Sequence, residues 1–467
     1  MTADLPALSL VEVAAQIRDG SLTSVAVTTA LLERAATAQA QLNCFLEIDA
    51  PGALRAAAAA DAAHSRGESL GLLHGVPLAH KDMFDIAGRP VRYGSRVRGH
   101  FVPTRTATVI ERLEAAGAIR IGALNMAEFA LGATGHNAIW GDCRNAIDPD
   151  YMAGGSSSGS GAAVGAHAAY AALGSDTGGS VRIPAAANGV VGLKATYGRV
   201  PRSGAMKLSP SIDGVGPLTR SVRDCARMLT IIAGHDPRDP ATTARPVPDY
   251  EAETTRGIEG LRIGVPRNYF YDVATAEIRA AMEASLAALE REGARCVDVD
   301  VPDVGAMSEL SRAIVYSEAT ALHGAWLRDR PGVYSSQVRV RASTGIAIPA
   351  SVYLEALLLR MPLLERFVGA VFSHCDVLHS PTLPVPVPRL DEVDVGGGAA
   401  MWAMLAKLVH NTAPFNYLGL PAIAVPAGRT VNGLPASAQF AARPFAEGLL
   451  FRVAAAHERA LQARSPA

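Results

Sequence analysis

Apolar residues recur at helical spacing from the start of the chain: Leu8, Leu10, Val11, Val13, Ala14 and Ile17, until Gly20–Ser21 breaks the pattern. Thr23 or Ser24 then opens a second helix through Ala38, and the Ala-rich stretch 51–66 reads as a third. Gly75–Asp82 (GVPLAHKD) is a short apolar run ending in charge, which predicts a buried strand. An amphipathic helix over 109–116, closed by Gly117, leads into a strand over 118–122. A turn or short helix over 125–132 comes next, followed by a loop to Met152 rich in Asn, Asp, Gly and Pro. Beyond it, 153–204 holds two Gly/Ser clusters, 154–161 and 174–180, around a small apolar run long enough for one helix of about three turns.

The same texture continues to the end. Helices are predicted over 222–233, 274–293, 307–330, 350–373 and 449–464, and strands over 261–266, 295–301, 376–379 and 422–426. Strands alternating with helices predict an α/β fold, with one large mostly parallel or mixed sheet covered on both faces. No linker separates independent domains, so residues 1–64 read as a helical flank of the same domain and 65–467 as its catalytic part. The flank could also serve as a homodimer contact. The segments 330–350 and 385–398, rich in Pro, Gly and charge, are candidates for a mobile rim around a substrate mouth.

Composition narrows the function classes. A net charge of −1 and 5% aromatic residues give no basic, aromatic-interleaved surface for nucleic acid or anionic membrane. Five cysteines lie far apart without a CxxC pair, which argues against both a disulfide framework and a cysteine metal site. His74, His80 and His136 lack ligand spacing, so neither metal nor other cofactor is expected. The N-terminus lacks the basic start and apolar core of a signal peptide, and no apolar run reaches membrane-spanning length, so the expected location is cytoplasmic. One count sharpens the picture: lysine occurs only at 81, 194, 207 and 407, among 43 Lys plus Arg. Lysine can lose its proton in a protein where arginine does not.

The Gly/Ser stretch carries the candidate chemistry. A serine hydroxyl attacks a carbonyl only when a base takes its proton, and acyl transfer needs N–H groups aimed at the developing oxyanion. The turn Asp176-Thr177-Gly178-Gly179-Ser180 suits both needs, because glycines let successive N–H groups converge beside a serine. No histidine motif lies near to suggest a Ser-His-Asp triad. Lys81, in an apolar strand where burial would lower its pKa, is the candidate base. Against this stands a bland reading, with Ser180 as a helix N-cap and the Gly/Ser run as a flexible loop. A phosphate loop is excluded, since no lysine follows the glycines at the required spacing.

With these residues in hand, the chain resembles the amidase signature family. GGSSSGSG at 154–161, GSDTGGSVRIPAAANGVVGLKATYGRV at 174–200 and GVPLAHKD at 75–82 are similar to its three motifs. They come in the family's order, with 24 residues between Ser156 and Ser180 and 99 between Lys81 and Ser180. Weaker echoes at 213–220, 380–384, 416–426 and 433–447 extend the resemblance over roughly 65–460. It implies the amidase signature fold and a Ser–cis-Ser–Lys triad, with Ser180 as nucleophile, Ser156 as the bridging serine after a cis peptide bond, and Lys81 as base. It also implies an oxyanion hole from the N–H groups of Thr177, Gly178, Gly179 and Ser180. Ser157 (with Ser158), Asp176 and Arg182 become structural support, the last two as an ion pair, and Lys194 is structural. His80 and the segment Ala436–Gln439 depart from the family's usual pattern; the histidine bears on the surroundings of Lys81.

The function so implied is hydrolysis of a C–N bond in a small-molecule amide through an acyl-Ser180 intermediate, with carbamates and esters as extensions. The family's pocket segment maps to 125–135, offering Met126, Phe129, Ala130 and Leu131 with Trp140 beyond, which favours an apolar or aryl group. The alternative is the glutaminase-type subunit of a tRNA-dependent amidotransferase, which shares NMxEFAxG and the signature. Its pattern is not matched over 340–390.

Overall fold

The computed structural model describes residues 4–99 and 101–463. Eleven strands form one sheet. In chain order they are β1 (Phe45–Ile48), β2 (Pro77–Lys81), β3 (Ile119–Leu124), β4 (Ala171–Asp176), β5 (Val191–Lys194), β6 (Gly214–Thr219), β7 (Arg262–Pro266), β8 (Arg295–Val299), β9 (Val377–Pro381), β10 (Ala422–Arg429) and β11 (Pro435–Ala441). Across the sheet they run β1-β3-β2-β4-β6-β5-β10-β11-β9-β7-β8. The sheet is mixed and flanked by helices, as expected, but it is not mostly parallel. Parallel pairing is confined to β3–β2–β4 and β9–β7–β8. The strands between them pair antiparallel, as β1 does with β3.

Local chemistry explains the helices that the pattern predicts. The first, Leu10–Arg18, starts at a capping box in which Ser9 and Glu12 bond each other's backbone N–H. Thr23 caps Ser24–Leu42, and Asp49 caps Ala50–Ser65. The flank is not wholly helical: β1 pairs with β3 at the sheet edge and ties the flank's described residues to the sheet.

Two predicted elements differ, each for a physical reason. The small apolar run between the Gly/Ser clusters is not one helix. It is a helix over Ser158–Gly165 followed by β4. Every residue of β4 is buried, and a strand buried on both faces shows no alternation, so an Ala-rich run cannot be told from helix by periodicity. The second is 350–373, which splits into Ala350–Leu358 and Arg360–Phe372. Pro362 lacks an N–H and its ring would strike the Leu358 carbonyl, so one continuous helix is excluded.

The core has one main cluster that includes Leu78, Leu173, Leu193, Leu218, Ile423 and Phe440. A second cluster around Phe270, Phe367, Phe372 and Phe415 sits beneath the later helices. Between β9 and two helices lies a buried polar chain. Tyr271 OH is 2.6 Å from His379 Nδ1, and Ser285 Oγ is 3.0 Å from His379 Nε2 and 2.8 Å from His457 Nε2. Burial pushes His379 down to about 3 and His457 down to about 4, so both are neutral at pH 7.

These depressed values fix a sign. Below the ordinary histidine value of 6.5, the unfolded chain takes up protons that the folded protein refuses, so stability falls as pH drops toward about 4. His457→Gln keeps a donor and an acceptor but cannot bind a proton. The expected outcome is a shallower fall of the urea midpoint between pH 6.5 and pH 4 than in the native protein, and an unchanged slope would contradict it.

Candidate active site

Lys81 ends β2, which lies next to the edge pair β1–β3 and pairs on its other side with β4. Its side chain is 1% exposed. Nζ lies 2.7 Å from Ser156 Oγ, 2.9 Å from Ser175 Oγ and 3.1 Å from Ser157 Oγ. Three hydroxyls thus satisfy the amine, and among the described residues no carboxylate forms an ion pair with it. Burial pushes Lys81 down to about 7, against the opposing charges of Asp213 and Asp176. His80 faces away, accepts the Leu173 N–H at Nδ1 (3.3 Å) and is pushed by burial down to about 3. It is therefore neutral beside the lysine.

The two Gly/Ser clusters converge on this amine. Ser156 and Ser157 precede the helix Ser158–Gly165, and the Gly155–Ser156 peptide bond is cis. Ser157 Oγ donates to the Ser175 carbonyl and accepts the Ser175 N–H, both at 3.3 Å, which fastens the first cluster to β4. The Ser157 N–H donates to the Ser180 carbonyl at 3.3 Å. Ser180 itself is only partly buried, at the turn between β4 and the helix Arg182–Asn188.

An ion pair holds that turn. Asp176 and Arg182 are fully buried and meet at 2.9 and 3.0 Å through two guanidinium nitrogens. Arg182 also donates to Gln439 Oε1 (2.6 Å) and Asn416 Oδ1 (2.7 Å). Asn416 donates to Asp176 Oδ1 at 2.8 Å. Burial acts to raise Asp176, but the Arg182 charge and hydrogen bonds outweigh it and hold the carboxyl well below the usual range. Asp176 Oδ1 further accepts the Gly179 N–H at 2.8 Å. Of the four N–H groups expected as oxyanion donors, that of Gly179 is thus bonded to Asp176, and those of Thr177, Gly178 and Ser180 carry no such bond among the described residues. Gly179 has φ +123, and a Cβ there would collide with Thr412 Oγ1, so the turn requires glycine.

Ser180, Thr177 and Gly178 border a chamber of about 100 Å³. Its walls are largely apolar, with Leu208, Val315, Tyr316, Trp402, Leu405 and Val409 among them. Of the sequence-predicted pocket residues, Ala130 and Leu131 line it. Met126 and Phe129 do not: Met126 is fully buried, and Phe129 stacks in an aromatic cluster with Trp326, His323 and Tyr334. Trp140 lies apart, half-exposed beneath Arg92. Leu131, Gly132, Ala133, Leu405 and Arg341 line both this chamber and a second one of about 440 Å³. Both candidate rim segments reach the second chamber, through Ser335–Val338 and through Val393–Gly397.

Sequence reasoning missed four groups. Ser175 lies inside the second motif but is masked by its neighbours' similarity. Asn416 and Gln439 sit more than 230 positions from Arg182 in the chain, and only the fold brings them there. Arg341 is nine-tenths buried, donates Nη1–H to the Leu131 carbonyl, and leaves Nε without a partner. Lys194 behaves as expected, donating to the Ala195 and Leu420 carbonyls. Among the described residues no group of three or more His, Cys, Asp or Glu is placed to hold a metal ion, and no single helix is long and apolar enough to cross a membrane.

Comparison with known proteins places this geometry. The family model described as Amidase matches residues 26–451. A relative from Anaeromyxobacter sp. (strain K), a glutamyl-tRNA(Gln) amidotransferase subunit, is 39% identical over 98% of this chain and 97% of its own. A chain from a vestigial protein complex tied to the evolutionary origins of an s-triazine catabolic enzyme superposes with a TM-score of 0.90 at 33% identity, covering 97% of this chain and 98% of that one. Native peptide amidase from Stenotrophomonas maltophilia superposes with a TM-score of 0.84 at 32% identity, covering 98% of both.

The Asp176–Arg182 pair yields a stability prediction. Asp176→Ala strands a fully buried guanidinium without its carboxylate, a change worth about 3–5 kcal/mol. Urea denaturation is expected to show a loss of that size, and a loss below about 1 kcal/mol would mean the pair is no more than a surface-like contact.

Proposed function

The chain belongs to the amidase family, hydrolases that cleave C–N bonds through an acyl-enzyme, and from that membership we propose the roles of its residues and the kind of amide it takes. Ser180 is the nucleophile, Ser156 the proton relay and Lys81 the base. The observation that carries this reading is the buried Lys81 amine, without a described counterion, 2.7 Å from Ser156 Oγ and pushed to about 7, so that a large share is neutral near pH 7. A neutral amine has two N–H bonds and one lone pair. Of its three hydroxyl neighbours, Ser157 gives its own proton to the Ser175 carbonyl, and Ser156, the shortest contact, is the one best placed to give its proton to the lone pair when the amine is neutral.

The steps follow from that arrangement. Lys81 takes the Ser156 proton while Ser156 takes that of Ser180. Ser180 Oγ attacks the carbonyl carbon, and the N–H groups of Thr177, Gly178 and Ser180 hold the oxyanion. The proton returns along the same path to the leaving nitrogen, the C–N bond breaks, and water then hydrolyses the acyl ester. Ser157, Asp176 and Arg182 hold the two Gly/Ser clusters in register and take no part in the proton transfers.

Two readings of the substrate remain, each with its own support. The small apolar chamber at Ser180 favours an amide with an apolar or aryl group, with carbamates and esters as further substrates of the same chemistry. The sequence relatives back the second reading better: they are amidotransferase subunits, and Arg341, with no counterion among the described residues, offers a place for the carboxylate of a glutamine donor. The chamber counts against it, because no Asp or Glu lines it to take the α-ammonium. We place the apolar amide first on that ground.

The tests separate mechanism from substrate. Ser180→Ala and Lys81→Met are each expected to lower kcat by about 10²–10⁴-fold or more while thermal melting stays near native; a Lys81→Met enzyme of native kcat would remove the base from the scheme. Because the neutral amine is the active form, kcat/KM for the native enzyme is expected to rise with pH through about 7. Release of aniline from an aryl amide by the isolated chain, with no ammonia from glutamine, supports the first substrate reading. Ammonia from glutamine without anilide turnover reverses the order.

A further inference from the structure

Behind the catalytic turn lies a second buried carboxylate that the triad does not use. Asp213 sits in the segment leading into β6 and is 7% exposed. Its Oδ1 accepts the Thr177 hydroxyl at 2.6 Å, and its Oδ2 accepts the N–H groups of Leu208 and Ser209, both at 2.9 Å. Thr177 carries a proposed oxyanion donor, and Leu208 is a wall of the Ser180 chamber. One carboxylate therefore joins the donor turn to the pocket wall.

The charge balance around Lys81 singles out the same group. The carboxylates whose charge acts on the Lys81 amine are Asp213 and Asp176. Asp176, at the end of β4, is neutralised by Arg182. Asp213 has no ion pair among the described residues; Arg202 faces it but donates to its backbone carbonyl, at 3.3 Å, and pairs instead with Asp239. From β2 itself, His80 is neutral, and Asp82 beyond it is raised to about 7 by burial. Burial also raises Asp213, to about 6, against the bonds from Thr177, Ser209 and Leu208. It thus ionises in the range where Lys81 must be neutral.

We propose that Asp213 is a positioning residue for the reaction at Ser180: it fixes Thr177 against the Leu208 wall and places a carboxylate, without an ion pair among the described residues, in the electrostatic field of the Lys81 amine. This rests on the reading of Lys81 as base. Two consequences follow that a merely structural carboxylate would not produce. Removing the charge makes the lysine ammonium less stable, so the amine stays neutral to lower pH. Removing only the tether to Thr177 loosens an oxyanion donor, which lowers kcat with little change in KM.

The test compares pH profiles of kcat/KM for the native enzyme, Asp213→Asn, Asp213→Glu and Thr177→Val, on one aryl amide, with thermal melts alongside. Asp213→Asn is expected to lose about 10–100-fold in kcat and to shift the acid limb to lower pH. Asp213→Glu keeps the charge, so its limb stays near the native position even where kcat falls. An Asp213→Asn limb that coincides with the native one overturns the proposal. Should that variant fail to fold, Thr177→Val decides: a kcat fall with KM and limb retained supports the tether, and native kcat overturns it. Failure of the underlying reading looks different, because Lys81→Met would then keep turnover whatever Asp213 does.

Discussion

A lysine amine buried without a counterion sets the terms for this site. In water the ammonium is held by hydration; at 1% exposure that hydration is lost, and among the described residues no carboxylate pairs with it directly. Three serine hydroxyls replace the water. Hydroxyls accept from an ammonium and can also donate to a neutral amine, so they tolerate either protonation state where a carboxylate would lock in one. The two Gly/Ser clusters, the strand that ends at Lys81 and the strand that ends at Asp176 all serve to bring those hydroxyls to one point.

Neutralisation is then distributed unevenly, and this gives the site its order. Asp176 is matched by Arg182, and the matched pair builds the turn. Asp213 has no ion pair among the described residues and is hydrogen-bonded instead. The two buried acids are similar in burial but opposite in effect, one held far below and the other above the usual carboxylate range. What distinguishes them is a guanidinium bonded to the carboxylate itself at Asp176, where Arg202 bonds only the backbone carbonyl of Asp213, not the depth at which they lie.

The fold was legible where sequence carries its own period or its own cap. Helices such as Ala276–Arg291 announce themselves through an apolar stripe, and the helix Ser24–Leu42 through Thr23 at its start. The all-buried strands β4 and β5 carry no alternation and went unread, as did the antiparallel pairing that joins them to distant partners. At the site, motif and spacing single out Lys81, Ser156 and Ser180, and the fold brings Lys81 to 2.7 Å from Ser156. The bond from the Gly179 N–H to Asp176 was not legible, since its partner is a side chain whose rotamer the sequence does not state. Arg341, Asn416 and Gln439 were invisible for a simpler reason: each is unremarkable locally and gains meaning only from a neighbour hundreds of residues away.

The chamber walls have a different origin from the reacting groups. Lys81 and the serines sit on strand ends and turns tied by buried hydrogen bonds, whereas Val315, Tyr316, Trp402 and Leu405 project from two later helices, Val304–Asp329 and Ala399–Val409. Side chains on those helices can change size without disturbing a single bond of the proton path. On the proposed reading, selectivity and reactivity are in this sense inherited separately. A lineage, or a laboratory library restricted to those helical positions, could move from one acyl group to another while the machinery beneath stays as it is.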